Sequence, residues 1–225
     1  MSNLMIEFAD QKFHLLPSGG IFWQDEGILI LADLHLEKGS GFWEQNNFLP
    51  PYDTLETLSL LQETIKNLSP KKVLLLGDSM HDSQSFHRMP LHLKKYLEAI
   101  MVESDLVWIR GNHDATIRGF PGALSNVFIA RAITFRHEMQ VGFKGPEISG
   151  HFHPVGRIKF KGVKLTGRCF LLSEEKLIIP AFGTYTGGLN IKNAALSKVL
   201  TQKSKVFLIV SSSIFQVELD QLIEY

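Results

Sequence analysis

Four short apolar runs in this 225-residue chain each stop at, or lie beside, side chains of the types that can bind metal ions. Ile28-Leu29-Ile30-Leu31-Ala32 ends at Asp33-Leu34-His35, and Val73-Leu74-Leu75-Leu76 ends at Gly77-Asp78. Leu106 to Ile109 runs on to Gly111-Asn112-His113-Asp114, and Pro146 to Ser149 leads into Gly150-His151-Phe152-His153-Pro154. A continuous apolar run of this length without helical period suits a strand buried on both faces. Strands whose last residues meet at one rim bring donors from distant segments to one place, which is how a two-metal hydrolytic site is built.

The elements between these blocks agree with that reading. After a polar, glycine-containing loop from Glu37 to Pro51, Asp53 is expected to cap a helix. Its apolar positions Leu55, Leu58, Leu61, Ile65 and Leu68 recur at helical spacing. The order strand, helix, strand predicts a parallel pair joined by a right-handed crossover. A second helix is predicted around Leu91 to Met101, before the strand Leu106 to Ile109. Beyond Asn126 the pattern changes to short apolar runs: Val127 to Ala130, Ile133 to Phe135, Arg168 to Leu172, Lys176 to Ile179, Val206 to Ser211 and Ile214 to Leu219. One further helix is expected over Ile191 to Thr201. The fold class is therefore α/β in the α+β sense, with two mixed sheets face to face and helices outside. Trp23 and Trp108, beside apolar strands, are expected in the core, and the run Val206 to Leu219 is read as core strands.

The chain has 44% hydrophobic residues and 16 phenylalanines, enough for a substantial core, and the expectation is one domain over residues 1–225. The 23 basic and 23 acidic residues cancel, so no global positive field marks nucleic acid as a partner, which leaves room for a local basic patch. One cysteine, Cys169, excludes an internal disulfide framework and is read as a small strand residue. The amino terminus has no cationic segment followed by a long apolar region, and no stretch approaches the ~20 apolar residues that span a bilayer. A cytoplasmic location without a membrane partner is expected.

Asp33 and His35 lie two apart, so in an extended segment both would point to one side and reach one ion. Asp78 has two carboxylate oxygens and is the natural bridging ligand; Asn112 offers a neutral carbonyl oxygen. His151 and His153 are again two apart, with Pro154 helping to fix the turn. A strand-end aspartate is more often a turn former, and a solitary histidine more often a satisfied polar residue. Joint occurrence decides here, since six of the nine histidines (His35, His81, His113, His137, His151 and His153) fall in or beside these blocks. Mixed oxygen and imidazole donors suit manganese, iron or zinc better than calcium.

The blocks resemble the calcineurin-like metallophosphoesterase superfamily, with its D-x-H, G-D, G-N-H-D/E, isolated histidine and G-H-x-H motifs in order. The resemblance implies the superfamily's four-layer fold and two divalent ions, manganese first, with iron or zinc as alternatives. One ion would take Asp33, His35, Asp78 and His153, and the other Asp78, Asn112, His137 and His151. In the superfamily the isolated histidine is usually followed by glycine; here Glu138 follows His137. His113 would contact the phosphate and protonate the leaving oxygen. A closer similarity is to the ligase-associated branch described as DNA-damage-response endonucleases. It is carried by Ala32 to Lys38, Leu76 to Asp82 and Pro180-Ala181-Phe182-Gly183-Thr184-Tyr185-Thr186-Gly187-Gly188. Where the superfamily often has an aspartate to hold the catalytic histidine, His81 stands, followed by Asp82; either is a candidate to orient His113.

That resemblance implies a phosphodiesterase acting on DNA in repair, with a ligase or helicase as associated partner. Arg88 and Arg118 are candidate substrate contacts, with His87 and the pair Phe42-Trp43 in loops beside them, and the turn Thr184 to Gly188 is expected to approach the site through its backbone. The alternatives are hydrolysis of a small phosphodiester or phosphomonoester, and a non-catalytic interaction module on the same fold. Steep loss of activity with salt distinguishes the first reading from the second. Failure to bind metal would mark the third.

Overall fold

A computed structural model describes residues 4–44, 52–113, 117 and 124–223. The chain opens with β1 (Leu4–Phe8), β2 (Gln11–Leu15), β3 (Ile21–Trp23) and β4 (Ile28–Leu31), then α1 (Lys38–Glu44) and α2 (Asp53–Leu68). Next come β5 (Lys72–Leu76), α3 (Ser85–Arg88), α4 (Leu91–Glu103), β6 (Leu106–Ile109) and β7 (Leu124–Ser125). The second half holds β8 (Phe128–Ala130), β9 (Ile133–Phe135), β10 (Glu147–Ser149), β11 (Pro154–Phe160), β12 (Val163–Leu172) and β13 (Lys176–Ile178). It closes with β14 (Leu189–Asn190), α5 (Ala194–Ser197), β15 (Lys205–Val210) and β16 (Ser213–Val217).

The strands form two mixed sheets. The first runs β1 to β7 in order, antiparallel as far as β4 and parallel from β4 to β7. The expected parallel pair is therefore present, with Ile28 opposite Lys72 and Leu31 opposite Leu75. The second follows β14-β11-β12-β13-β10-β9-β8, with β15 pairing β12 and β16.

Alternation along each strand explains why these runs are apolar throughout. Ile28 and Ile30 of β4, and Leu74 and Leu76 of β5, face the second sheet and meet Phe135, Ile148, Phe170, Leu177 and Phe207. The intervening Leu29, Leu31, Val73 and Leu75 pack instead under α2 and α4, against Leu58, Leu61, Ile65, Leu93, Leu97 and Ile100. On the far side of the second sheet, Cys169, Leu171, Ile178 and Leu208 meet Leu196 of α5 and Val199. Burial of Cys169 pushes its thiol well above the ordinary range and leaves it unreactive. Trp23 and Trp108 are both buried, as expected.

Three expectations change. Asp53 is the first residue of α2, not its cap; Tyr52 stands before it without a side-chain cap, and the Asp53 carboxylate accepts from the backbone N–H of Gly39 instead (3.0 Å). The helix expected over Ile191 to Thr201 shrinks to Ala194–Ser197, because Asn193 caps it at Ala195 and the chain turns again at Thr201 to Ser204. Phe42 and Trp43 lie on α1, and His87 and Arg88 on α3, so none of them is in a loop.

The two sheets meet through a run of aromatic rings. Phe13 lies 5.2 Å from Trp23, Trp23 stacks on Phe135 at 6.0 Å, and Phe135 contacts Phe128 at 5.9 Å. Trp23 belongs to the first sheet and Phe135 to the second, so this contact crosses the interface that positions the two halves of the site. Phe135→Ala is expected to cost about 3–5 kcal/mol through the cavity it leaves. The check is a fall in urea midpoint with an unchanged slope. A loss below about 1 kcal/mol would show that the interface does not rest on this ring.

Candidate active site

Beyond β4 and β5 the two chains stay side by side without forming regular strands. Asp33 N–H donates to Gly77 O (3.2 Å), His35 N–H to Asp78 O (2.9 Å), Leu36 N–H to Ser79 O (2.9 Å), and His81 N–H returns to Leu36 O (3.0 Å). Within this ladder Asp33, His35 and Asp78 have φ of 55°, 47° and 46°; on the facing segment His151 and His153 have φ of 70° and 43°. The two-residue spacing thus works through left-handed residues, not through the extended segment expected from sequence. Each such residue costs about 1–2 kcal/mol relative to an ordinary conformation, a strain characteristic of functional sites.

Two carboxylates hold the segments in register. Asp33 Oδ2 accepts from the backbone N–H of His151 (2.9 Å), and Asp78 Oδ1 from that of His113 (2.9 Å). The free oxygens face imidazoles. Asp33 Oδ1 lies 3.3 Å from His153 Nε2, and Asp78 Oδ2 lies 3.4 Å from His137 Nε2, 3.9 Å from His113 Nε2 and 4.0 Å from His35 Nε2. The approach is close enough to require glycine at two motif positions. A Cβ on Gly111 would overlap the backbone nitrogen and Oδ1 of Asp78, and one on Gly150 would come within 2.5 Å of Asp33 Oδ2.

The histidines are pinned from behind, which fixes which ring nitrogen looks inward. His137 Nδ1 donates to Leu76 O (2.9 Å) and His153 Nδ1 to Gly187 O (3.1 Å), so each turns its Nε2 toward a carboxylate. Ring nitrogens also converge: His35 Nε2 is 3.3 Å from His153 Nε2, and His137 Nε2 is 3.0 Å from His151 Nδ1. Asp33 and Asp78 are buried, and among the described residues neither pairs with a lysine or arginine. Desolvated negative charge among converging imidazole nitrogens fits a divalent cation. Three groups among the described residues have all their donor atoms within 4.8 Å of one another: His35, His81 and His113; Asp33, His35 and His153; and Asp78, His137 and His151; the last two each include a buried carboxylate. Asn112 sits with its amide 3.5 Å from His151 Nδ1, at the edge of the last group.

Burial, then the neighbouring His153, pushes His35 down to about 2, so it is a neutral donor at any ordinary pH; burial followed by His137 lowers His151 and favours its neutral form. His153 goes the other way. Burial opposes its charge, but the hydrogen bond and the charge of Asp33 prevail and raise it.

His113 is half exposed, and its Nδ1 donates to the backbone carbonyl of His81 (2.6 Å). The His81 ring stacks on it at 5.6 Å and 21°, and Phe42 stacks on the far side of His81 at 5.9 Å and 22°. Neither of the two side chains considered for orienting His113 therefore meets its ring nitrogen; the main chain does. Asp82 is engaged elsewhere, by Arg88 at 2.9 and 2.5 Å. Arg88 also donates to Ser40 Oγ (2.8 Å), Glu37 O (3.1 Å) and Ser85 Oγ (3.0 Å), so it braces α1 against α3. Arg118 and Asp114 lie outside the described residues.

Sequence reasoning missed two cations here. Lys38, at the start of α1, lies close enough for its charge to lower His35 and His81. Arg110 borders an open cleft of about 540 Å³ beside Asn112, His137 and Glu138. The segment Pro180 to Gly188 underlies the site: Phe182 N–H donates to Ala32 O (2.8 Å), Gly183 N–H to Asp33 O (3.2 Å), and Arg168 donates to Ala181 O (2.6 Å).

Comparison with known proteins bears on this geometry. The sequence pattern of the family described as calcineurin-like phosphoesterase matches residues 27–191. No curated protein sequence matches the chain. Among solved structures, the Pseudomonas putida nuclease MPE superposes with a TM-score of 0.74 at 25% identity, covering 96% of this chain and 100% of that one. Yfce, a phosphoesterase from E. coli, aligns with a TM-score of 0.42 at 13% identity over 84% of this chain and 97% of its own.

Because Asp33 holds a proton on His153 at pH values where a free histidine has lost it, an incoming ion must displace that proton. Binding of manganese near neutral pH is therefore expected to release a proton, and affinity to fall on acidification. In the metal-free fold the same pair stabilises fully below the ordinary histidine value of 6.5, and that contribution is lost as pH rises through the raised value. Calorimetric titration in two buffers of different ionisation enthalpy checks this; heats independent of buffer would contradict it.

Proposed function

The chain belongs to the calcineurin-like phosphoesterase family and is a metal-dependent phosphoesterase, and we propose that it is a phosphodiesterase that cuts DNA internally in repair. The observation that carries the reading is the position of Asp78 Oδ2, within 4.0 Å of donors from both carboxylate-containing groups. We assign one ion to Asp33, His35, Asp78 and His153 and the other to Asp78, Asn112, His137 and His151. Manganese is the first candidate and iron or zinc the alternatives, a choice the oxygen and nitrogen donors support.

Divalent ions in such a pair lower the pKa of water and draw charge from phosphate oxygens during in-line displacement. The protein's own contribution is orientation and proton transfer. With Nδ1 committed to the His81 carbonyl, His113 presents Nε2 toward the site, 3.9 Å from Asp78 Oδ2. In its cationic form that nitrogen carries the proton the leaving oxygen needs. His81 acts on His113 through its carbonyl and its stacked ring, and Asp82 acts at one remove by fixing Arg88 between α1 and α3. Arg88 therefore supports the wall of the site and, with Arg118, stays a candidate phosphate contact.

DNA as substrate is supported by the structural likeness to a nuclease over nearly the whole length of both chains. A repair setting, with a ligase or helicase as partner and the cytoplasm as its place, follows from the branch resemblance, and we take residues 1–225 as one domain. No described helix is long and apolar enough to cross a membrane. The open cleft of about 540 Å³ beside His137 favours a second reading, hydrolysis of a small nucleotide-like phosphoester, because that volume holds one such ligand.

Manganese-loaded protein is expected to hydrolyse bis-p-nitrophenyl phosphate and labelled single-stranded DNA, and Asp78→Ala to do neither. His113→Ala is expected to lower turnover about 10²–10⁴-fold while retaining its metal. Turnover of small esters alone would move the substrate to a nucleotide-like metabolite. Equal loss of metal in His113→Ala would remove its assignment as proton donor.

A further inference from the structure

The metal ligand His153 is followed immediately by β11, which pairs with β12 as a long hairpin whose register runs from Val155 opposite Arg168 to Phe160 opposite Val163. The connection Lys161-Gly162 has φ of 48° and 84°, the left-handed pair that gives a tight turn matched to strand twist. At the hairpin's root, Val155 packs so closely on Gly188 that a Cβ there would overlap its side chain, and Gly188 follows the residue whose carbonyl holds His153. At about 3.3 Å per residue, Lys159 lies roughly 20 Å along the strand from His153.

The charge on this arm is one-sided. From Gly150 to Leu172 the chain carries Arg157, Lys159, Lys161, Lys164 and Arg168 and no aspartate or glutamate, in a protein whose total charge is zero. Register and alternation put Arg157, Lys159 and Lys164 on one face. Lys159 and Lys164 are exposed and directly opposite one another. Like charges in that position repel and destabilise the pair. Among the described residues no carboxylate forms an ion pair with Lys159, Lys161 or Lys164. A lysine pair without a carboxylate partner among the described residues, on an arm that begins at His153, is unfavourable in the free protein and favourable against a polyanion.

We propose that the β11–β12 hairpin is the track on which a nucleic-acid strand lies as it enters the metal site, with Arg157, Lys159 and Lys164 on successive phosphates. The proposal rests on the phosphodiesterase reading and deepens it, since it assigns the substrate as a polymer of phosphodiesters. Residues two apart on β11 are roughly 6.7 Å apart along the strand, comparable to the step between neighbouring phosphates in an extended chain. Contacts of this kind hold the backbone without reading bases, so cleavage is expected to be tolerant of sequence.

The test compares wild type with the double variant Lys159→Ala/Lys164→Ala, both manganese-loaded, on a labelled single-stranded DNA oligonucleotide and on bis-p-nitrophenyl phosphate. The variant is expected to need about tenfold more DNA for half-maximal cleavage, and its binding to lose roughly 1–1.5 from the slope of log affinity against log salt. Turnover of the small diester stays within about twofold, and the melting temperature is unchanged or higher, because removing a repelling pair does not harm the fold. Unchanged DNA affinity and salt slope in the variant would overturn the track while leaving the phosphodiesterase reading intact. A wild type that hydrolyses the small diester but neither binds nor cuts DNA would overturn the polymer assignment itself.

Discussion

Two buried carboxylates organise this molecule. Asp33 and Asp78 each use one oxygen to hold the backbone of a distant motif, at His151 and at His113, and turn the other toward imidazoles. The first function ties the two sheets together at one rim, since Asp33 follows β4 of the first sheet and His151 follows β10 of the second. The second leaves negative charge in a place from which water is excluded and where no lysine or arginine answers it among the described residues. Such a charge is tolerated only with a cation. The fold and the chemistry therefore depend on the same two side chains.

The surrounding structure bears the cost of presenting the side chains at this rim. Asp33, His35, Asp78, His151 and His153 all stand in left-handed backbone, and each position is bracketed by hydrogen bonds from a neighbouring segment. Gly111 and Gly150 let carboxylate and backbone approach without a Cβ between them. Behind this layer lies the aromatic contact between Trp23 and Phe135, and in front of it the stack of Phe42, His81 and His113. Strain at the rim is over-determined by packing on both sides, which is the usual condition for its persistence.

Much of this was legible in the sequence because burial on both faces leaves a continuous apolar signal. The runs at β4, β5 and β6 carry that signal, and the candidate metal-binding side chains stand at or just past their ends. The strands β1 to β3 escaped because they are short and half-exposed: Met5-Ile6-Glu7-Phe8 alternates over too few residues to stand out. The conformation of the ligands was not legible, since an i, i+2 spacing suits a strand as well as alternating left-handed residues; only long-range hydrogen bonds decide between them. The partner of His113 was hidden for a similar reason. A backbone carbonyl has no sequence signature, so attention fell on the side chains of His81 and Asp82. The contacts of Arg88 were hidden too, because its partners Ser40 and Asp82 come together only in the fold.

If Asp78 is shared by two ions that offset the buried carboxylates, anomalous diffraction from crystals of the manganese-loaded protein shows two peaks, one against His35 and His153 and one against His137 and His151, with Asp78 Oδ2 beside both. A single peak, or two peaks neither of which touches Asp78, would contradict that sharing.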